Sequence, residues 1–173
     1  GLVEHERYFG VRLVEEGRRL AVAMVRRHRL LETFLVRTLG YTWDEVHDEA
    51  EMLEHATSDR LVERLDSFLG NPARDPHGDP IPAPDGTAEP VSRITLIDVP
   101  AQTPVTVEQV TDADGEFLRY LDKYGVRPGV EVTVVAPSVA GVLEVAVDGG
   151  AHFPLGESAA RGIAVRSFGD AEA

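Results

Sequence analysis

No cysteine occurs in the 173 residues, which excludes a disulfide framework and any thiolate nucleophile or metal ligand. Long apolar runs are missing too. Nothing approaches the roughly 20 apolar residues that a membrane-crossing helix needs, and the first residues lack the basic-then-apolar layout of a secretion signal. Both absences fit a cytoplasmic protein with no membrane partner. Positive charge is scarce: 17 Lys and Arg face 30 Asp and Glu, a formal net charge of −13, which argues against this chain wrapping a nucleic-acid backbone by itself. The deficit is uneven, because residues 1–70 hold 10 basic and 14 acidic groups (net −4) and residues 71–173 hold 7 and 16 (net −9). Lysine is almost absent, with sixteen of the seventeen basic residues being Arg, a pattern that reads as coding bias. Aromatics make up only 6% of the chain, which leaves little material for an aromatic-lined peptide groove.

What remains is ordinary for a folded domain or two small ones: 43% hydrophobic and 27% charged residues. The opening "GLVEHERYFGVRLVEEG" alternates apolar and polar residues on both sides of Gly10, predicting a hairpin. From Glu15 to Leu39 the period becomes helical, with Leu20, Met24, Leu31, Leu35 and Leu39 as the expected buried stripe and Gly40 as the stop. A second helix is expected from Thr42, with Glu45 three residues on completing a capping box, and a third from Ser58 to Gly70. "NPARDPHGDPIPAPDGTAEP" then places six prolines in twenty residues and marks a boundary. Beyond it the period is two, in "VTVEQV", "VEVTVVA", "VLEVAVDGG" and "GIAVRSF", interrupted by one helical segment, "GEFLRYLDKYG". The expectation is an α+β chain: a hairpin over residues 1–14, three helices over 15–70, a Pro-rich linker over 71–93, and a small β-barrel over 94–170.

Histidines and carboxylates carry the chemistry. On the second helix His47, Glu51, Glu54 and His55 fall within roughly 60° of one line, at about 100° per residue. Glu51, Glu54 and His55 can therefore converge on one divalent ion. Taken alone, that helix reads as readily as a solvated acidic face. The first helix adds His28 and Glu32 at i, i+4, and two helices that each offer a His–carboxylate pair can build a site between them. "RDPHGDP" adds Asp75 and His77 on a proline-stiffened loop, for which a polar turn is the plain alternative. His5 and His152 stand outside these clusters and read as hairpin and strand residues. Without cysteine the donors are imidazole and carboxylate. These suit Mn, Fe(II), Co, Ni or Zn, and the carboxylate excess leans toward Mn and Fe.

These residues resemble the iron- and manganese-dependent repressors of the diphtheria toxin repressor type. The resemblance spans almost the whole chain and rests on "RRHRLLE", on "EVHDEAEMLEHATSD", on "PHGDPIP", and on a C-terminal part similar to that family's SH3-like barrel. It implies a metal-activated transcriptional repressor that acts as a homodimer, not an enzyme. The hairpin would be the remnant of a winged helix-turn-helix, and the three helices a dimerisation and metal-binding domain. It also implies two metal sites, which would take Mn2+ or Fe2+ and accept Zn2+, Co2+ or Ni2+. The primary set would be His28, Glu51, Glu54 and His55. The second set would be Glu32 and His47, with Asp75 and His77 in some branches and Asp114 or Glu116 from the barrel. Dimerisation would use Leu53, Leu61, Leu65 and Phe68.

Two departures from the family pattern matter. Glu51 stands where iron-responsive members carry cysteine and manganese-responsive members carry glutamate, so a hard ligand replaces a soft one and Mn is favoured. The chain also begins at the expected wing, so the resemblance implies a fragment without the helix-turn-helix, which would bind operator DNA only within the intact protein. Val14 occupies a place where relatives carry a capping Thr. Two rivals of other classes are a helical metal-carboxylate enzyme and an SH3-like peptide-binding module. In the second, "DPIPAP" would dock on the chain's own barrel as an internal tether.

Overall fold

The computed structural model describes residues 2–6, 10–112, 114–150 and 152–167, with the side chains of His5 and Glu6 left out. The turn of the expected hairpin (residues 7–9) and residues 168–170 lie outside these. The fold is α+β and divides into two units. The helical unit is Gly1–Tyr41, Val46–Asp75 and Pro80–Glu89; the strand unit is Thr42–Glu45, Pro76–Asp79 and Pro90–Ala173.

In the helical unit, strands β1 (Val3–Glu6) and β2 (Gly10–Leu13) pair antiparallel. Helix α1 (Glu15–Phe34) follows. Val14 holds its N-cap position without a side-chain hydrogen bond, as expected where Thr is replaced by a residue with no acceptor. A π-helical turn (Leu35–Leu39) continues α1 and ends at Gly40, whose φ of 77° suits a residue without Cβ. Helices α2 (Val46–Glu54) and α3 (Asp59–Phe68) complete the unit, and the Ser58 hydroxyl caps α3 by accepting from the Leu61 N–H. Leu31, Leu35, Val46, Ala50 and Leu65 form the core, with a smaller cluster of Leu30, Val62 and Ile81. The expected stripe is thus only partly buried. Leu31 and Leu35 are covered, Met24 is half-buried, and Leu20 and Leu39 are exposed, because α2 and α3 cover the C-terminal part of α1 while the fully buried Leu30 faces α3 and the proline strap.

Two further expectations are corrected. The second helix begins at Val46, not after Thr42. Only one arm of the capping box forms, Thr42 N–H donating to Glu45 Oε1 at 3.0 Å, because Trp43 is drawn into the core of the strand unit and holds Thr42–Glu45 as a turn there. The "PIPAP" strap packs with the helical unit and not as a tether on the sheet. Ile81 is buried beside Leu30 and Val62. Arg29 and Arg26, one turn apart on α1, donate to the carbonyls of Pro80 and Pro82 at 2.6 Å each. Prolines have no N–H to pair, so alternate carbonyls of the extended strap are open to donors.

The strand unit is a five-stranded antiparallel sheet ordered β6-β5-β4-β3-β7. Its strands are β3 (Pro104–Val110), β4 (Glu131–Val139), β5 (Val142–Val147), β6 (His152–Gly156) and β7 (Ile163–Ser167). Among the described residues β6 and β7 are its edges, so the expected barrel takes the form of this SH3-like sheet. Helix α4 (Gly115–Lys123) and the short α5 (Glu157–Ala160) cover it. Alternate strand residues such as Val105, Val107, Val132, Val134, Leu143 and Val145 fill its core, as the period of two requires. No helix among the described residues is long and apolar enough to cross a membrane.

Candidate metal centre

Helices α1 and α2 meet through histidines and carboxylates of the helical unit. His28 extends from α1 between two acids: its Nδ1 lies 2.8 Å from Glu54 Oε2, and its Nε2 lies 3.0 Å from Glu32 Oε1. His47, in the first turn of α2, brings Nδ1 within 3.3 Å of both Glu32 Oε1 and His28 Nε2. One ligand atom from each of His28, Glu32 and His47 thus lies within 4.8 Å of the others. The i, i+4 spacing of His28 and Glu32 puts both on one helical face, and α2 supplies the third donor from across the interface. Glu32 is 1% exposed. A carboxylate buried that far requires positive charge or donors around it, which two imidazoles provide in the absence of metal.

Glu54 is buried on the opposite side of His28 and is the hinge to the other expected ligands. Its Oε1 lies 3.6 Å from His55 Nε2, and its main-chain carbonyl accepts from Arg27. Glu51 and His55 are exposed. The structure therefore groups His28 with Glu32 and His47, where the family resemblance had placed it with Glu51, Glu54 and His55. Among the described residues it touches the latter set only through Glu54. The reason is rotational: His28 and Glu32 share a ridge of α1, and the α2 residue opposite that ridge is His47, one turn ahead of Glu51.

Burial opposes protonation of His28, but the hydrogen bonds and negative charges of Glu32 and Glu54 outweigh it and raise its pKa above the ordinary value. Protonated, it is the cation that joins two carboxylates. Deprotonated, it presents a nitrogen lone pair beside Glu32 and His47. The set fits a hard or borderline divalent ion, being all nitrogen and oxygen and already converged.

Of the remaining expected ligands, Asp75 offers a carboxylate oxygen within 4.8 Å of a Glu32 oxygen, both in the helical unit. Asp75 is buried in the helical unit, with Arg29 Nε 3.6 Å away. This partner went unread in the sequence, although "RRHR" carries it. His77 belongs to the strand unit, fully buried, stacked on Trp43 with ring centroids 5.9 Å apart, its Nε2 donating to the Trp43 carbonyl at 2.6 Å. The following Gly78 has φ 89°, and a Cβ there would lie 2.0 Å from the Glu108 carbonyl oxygen, so the "PHG" turn is shaped by close approach to β3. Asp114 caps α4, accepting from the Glu116 and Phe117 N–H groups. Glu116 is exposed in the first turn of that helix.

Comparison with known proteins places both parts of the chain in described families. Residues 14–83 match the model of the iron dependent repressor metal binding and dimerisation domain, and residues 94–167 match the FeoA domain. The chain is 38% identical over 142 residues to the iron-dependent repressor IdeR of Mycobacterium tuberculosis (strain ATCC 25618 / H37Rv), covering 75% of this chain and 62% of that protein. It is 35% identical over 145 residues to the diphtheria toxin repressor of Corynebacterium efficiens, covering 78% and 63%. Among solved structures, a manganese-dependent transcriptional repressor in complex with manganese superposes with a TM-score of 0.87 at 50% identity, over 97% of this chain and 78% of that one. The chain spans a little under two thirds of the length of the curated relatives it matches.

Proposed function

The chain belongs to the diphtheria toxin repressor family, a family of transcriptional repressors and not of enzymes, and from that membership we propose that it is the metal-sensing, dimerising part of a manganese-responsive cytoplasmic repressor. The observation that carries this reading is the convergence of His28, Glu32 and His47, with Glu54 completing the bridge from α1 to α2. We assign His28, Glu32 and His47 to one centre and Glu51, Glu54 and His55 to the other. Asp75, whose carboxylate lies within 4.8 Å of Glu32, joins the first centre, and on the resemblance alone His77 and Glu116 stand as its further ligands. Asp114 is the weaker choice because its carboxylate already caps α4.

A bound divalent ion supplies the positive charge that the buried carboxylates require. Glu32 and Glu54 would hold such an ion together with the imidazoles of His28, His47 and His55, and ligation from both α1 and α2 would fix the two helices against each other. Metal that binds one arrangement of these helices more tightly than another selects that arrangement. In the intact repressor this favours the operator-binding state, with two copies meeting two half-sites. Preference for Mn over Fe rests on Glu51 and is supported by the higher identity to a manganese-dependent repressor than to the iron-dependent ones.

Calorimetry with Mn(II) and Fe(II) on this chain tests the reading. Binding of more than one ion per chain, lost at one centre in His47→Ala and at the other in His55→Ala, is the expected result. Absence of any Mn(II) or Fe(II) binding heat overturns it.

A further inference from the structure

A cleft of about 680 Å³ opens within the helical unit between α1, α3 and the tip of the proline strap. Val22, Ala23, Val62, Ala83 and Pro84 give it an apolar lining. Hydrogen bonds fix its sides. Arg26 and Arg27 of α1 reach Asp66 and Asp59 of α3 at 2.7 Å each, and Arg26 also holds the Pro82 carbonyl. The strap tip is a closed turn: Ala83 N–H donates to the Thr87 carbonyl at 2.7 Å, and Gly86 N–H donates to the Ala83 carbonyl at 2.9 Å. The Thr87 N–H and hydroxyl both donate to Asp85 Oδ1. The cleft occupies helix faces separate from those described above. Gly17, which meets the Leu2 carbonyl, and His28 lie about 120° or more around α1 from Val22 and Arg26, at 100° per residue. Leu61 and Phe68 lie about 100° or more around α3 from Val62 and Glu63. Charge in the lining does not balance. Arg19 is taken by Glu16 at 2.6 Å, and Arg26 and Arg27 by the two α3 aspartates. Among the described residues, the exposed acids Glu15, Glu63 and Asp85 have no ion-pair partner, and Arg18 is the one unpaired cation in the lining.

We propose that this cleft is a binding site for a small organic cation, an ammonium group carried on an apolar body the size of an aromatic ring. Preformed concave clefts of roughly 300–1,000 Å³, apolar with a few charged groups, are where small molecules bind. The body gains by removing the apolar lining from water. The ammonium meets acids that no protein cation answers, whereas an anion of the same shape is repelled by them. The site faces away from His28 and does not rest on the metal-centre reading.

The test titrates three probes into the whole isotope-labelled chain, with a chelator present to remove metal, and follows the backbone amide signals. Phenethylamine carries both the ring and the ammonium, 3-phenylpropionate the ring with a carboxylate, and methylammonium the charge alone. The expected result is that phenethylamine gives saturating shifts centred on Val22, Ala23, Val62 and Ala83. 3-Phenylpropionate binds at least about tenfold more weakly, as like-charge contact requires, and methylammonium, lacking the apolar body, gives no saturating shift. Glu63→Gln with Asp85→Asn weakens phenethylamine by about threefold to tenfold, the scale of two exposed ion pairs. Ala23→Phe, at an exposed position on the cleft wall, fills the space and abolishes binding. Absence of saturating shifts with phenethylamine, or binding undiminished in Ala23→Phe, overturns the site. Equal binding of 3-phenylpropionate, or unchanged affinity in the double variant, overturns its assignment to a cation. If either variant does not fold, the three-probe comparison on the unaltered chain decides.

Discussion

His28 Nδ1 lies 2.8 Å from Glu54 Oε2, while the other nitrogen of the same ring faces Glu32 at 3.0 Å. One imidazole thus ties α1 to α2 and stands between the two groups of ligands. Whatever charge it carries is felt by both carboxylates.

Removing that ring leaves Glu32, almost wholly buried, with one fewer positive neighbour. His28→Ala is expected to destabilise the metal-free chain by about 3 kcal/mol, the low end of the scale for breaking a buried ion pair from one side, because the ring is itself partly exposed. Urea denaturation in the presence of a chelator measures it. A loss below about 0.5 kcal/mol, the scale of a neutral surface change, would show that the bridge contributes little.

The same ring predicts a pH dependence. The folded-state pKa of His28 is raised above the ordinary value of 6.5. The stability contributed by its protonated form is therefore complete below about 6.5 and is lost as pH rises through the raised folded value. A metal ion must displace this proton, so Mn(II) affinity rises across that window and binding releases protons within it. Calorimetry in two buffers of different ionisation enthalpy counts the protons. An equal count on both sides of the window would refute the assignment.

Glu51 is exposed, so Glu51→Cys changes stability by less than about 0.5 kcal/mol while replacing a hard ligand with a soft one. The metal order at its centre is expected to move away from Mn(II) and toward Fe(II) and Zn(II). Competition calorimetry with the three ions reads this. An unchanged order would remove Glu51 from the ligand set.

Of the four apolar residues expected at a dimer surface, two are taken up within the helical unit. Leu65 is buried in the core of the helical unit and Leu53 packs against it, whereas Leu61 and Phe68 of α3 are exposed, with Phe34 edge-on to Phe68 at 6.1 Å. Leu61→Glu with Phe68→Glu is expected to weaken self-association by about tenfold or more in sedimentation, as loss of apolar anchors does, without lowering the melting point of the monomer. Leu65→Ala is expected to cost about 2–3 kcal/mol of folding stability, the usual price of a buried leucine truncation. Dimerisation unchanged in the double variant would place the interface elsewhere.

Residue spacing alone located most of the elements and gathered the candidate nitrogen and oxygen donors. The periods of 3.6 and two located α1, α3, α4 and four of the five sheet strands, and Gly40, Ser58 and Gly70 marked ends, because helix periodicity and capping are local properties. Strand β6 was not read as an element, since "HFPLG" carries a proline and a glycine that weaken the local signal. The absence of cysteine and the i, i+4 placement of His28 and Glu32 likewise needed only the chain itself. Three matters belonged to the tertiary structure. These were the pairing of His28 with Glu32 and His47, the withdrawal of Leu65 from the surface, and the capture of Trp43 by the strand unit that delays α2 to Val46. Each depends on which side chains from distant segments compete for the same buried space, and no local pattern records the outcome of that competition.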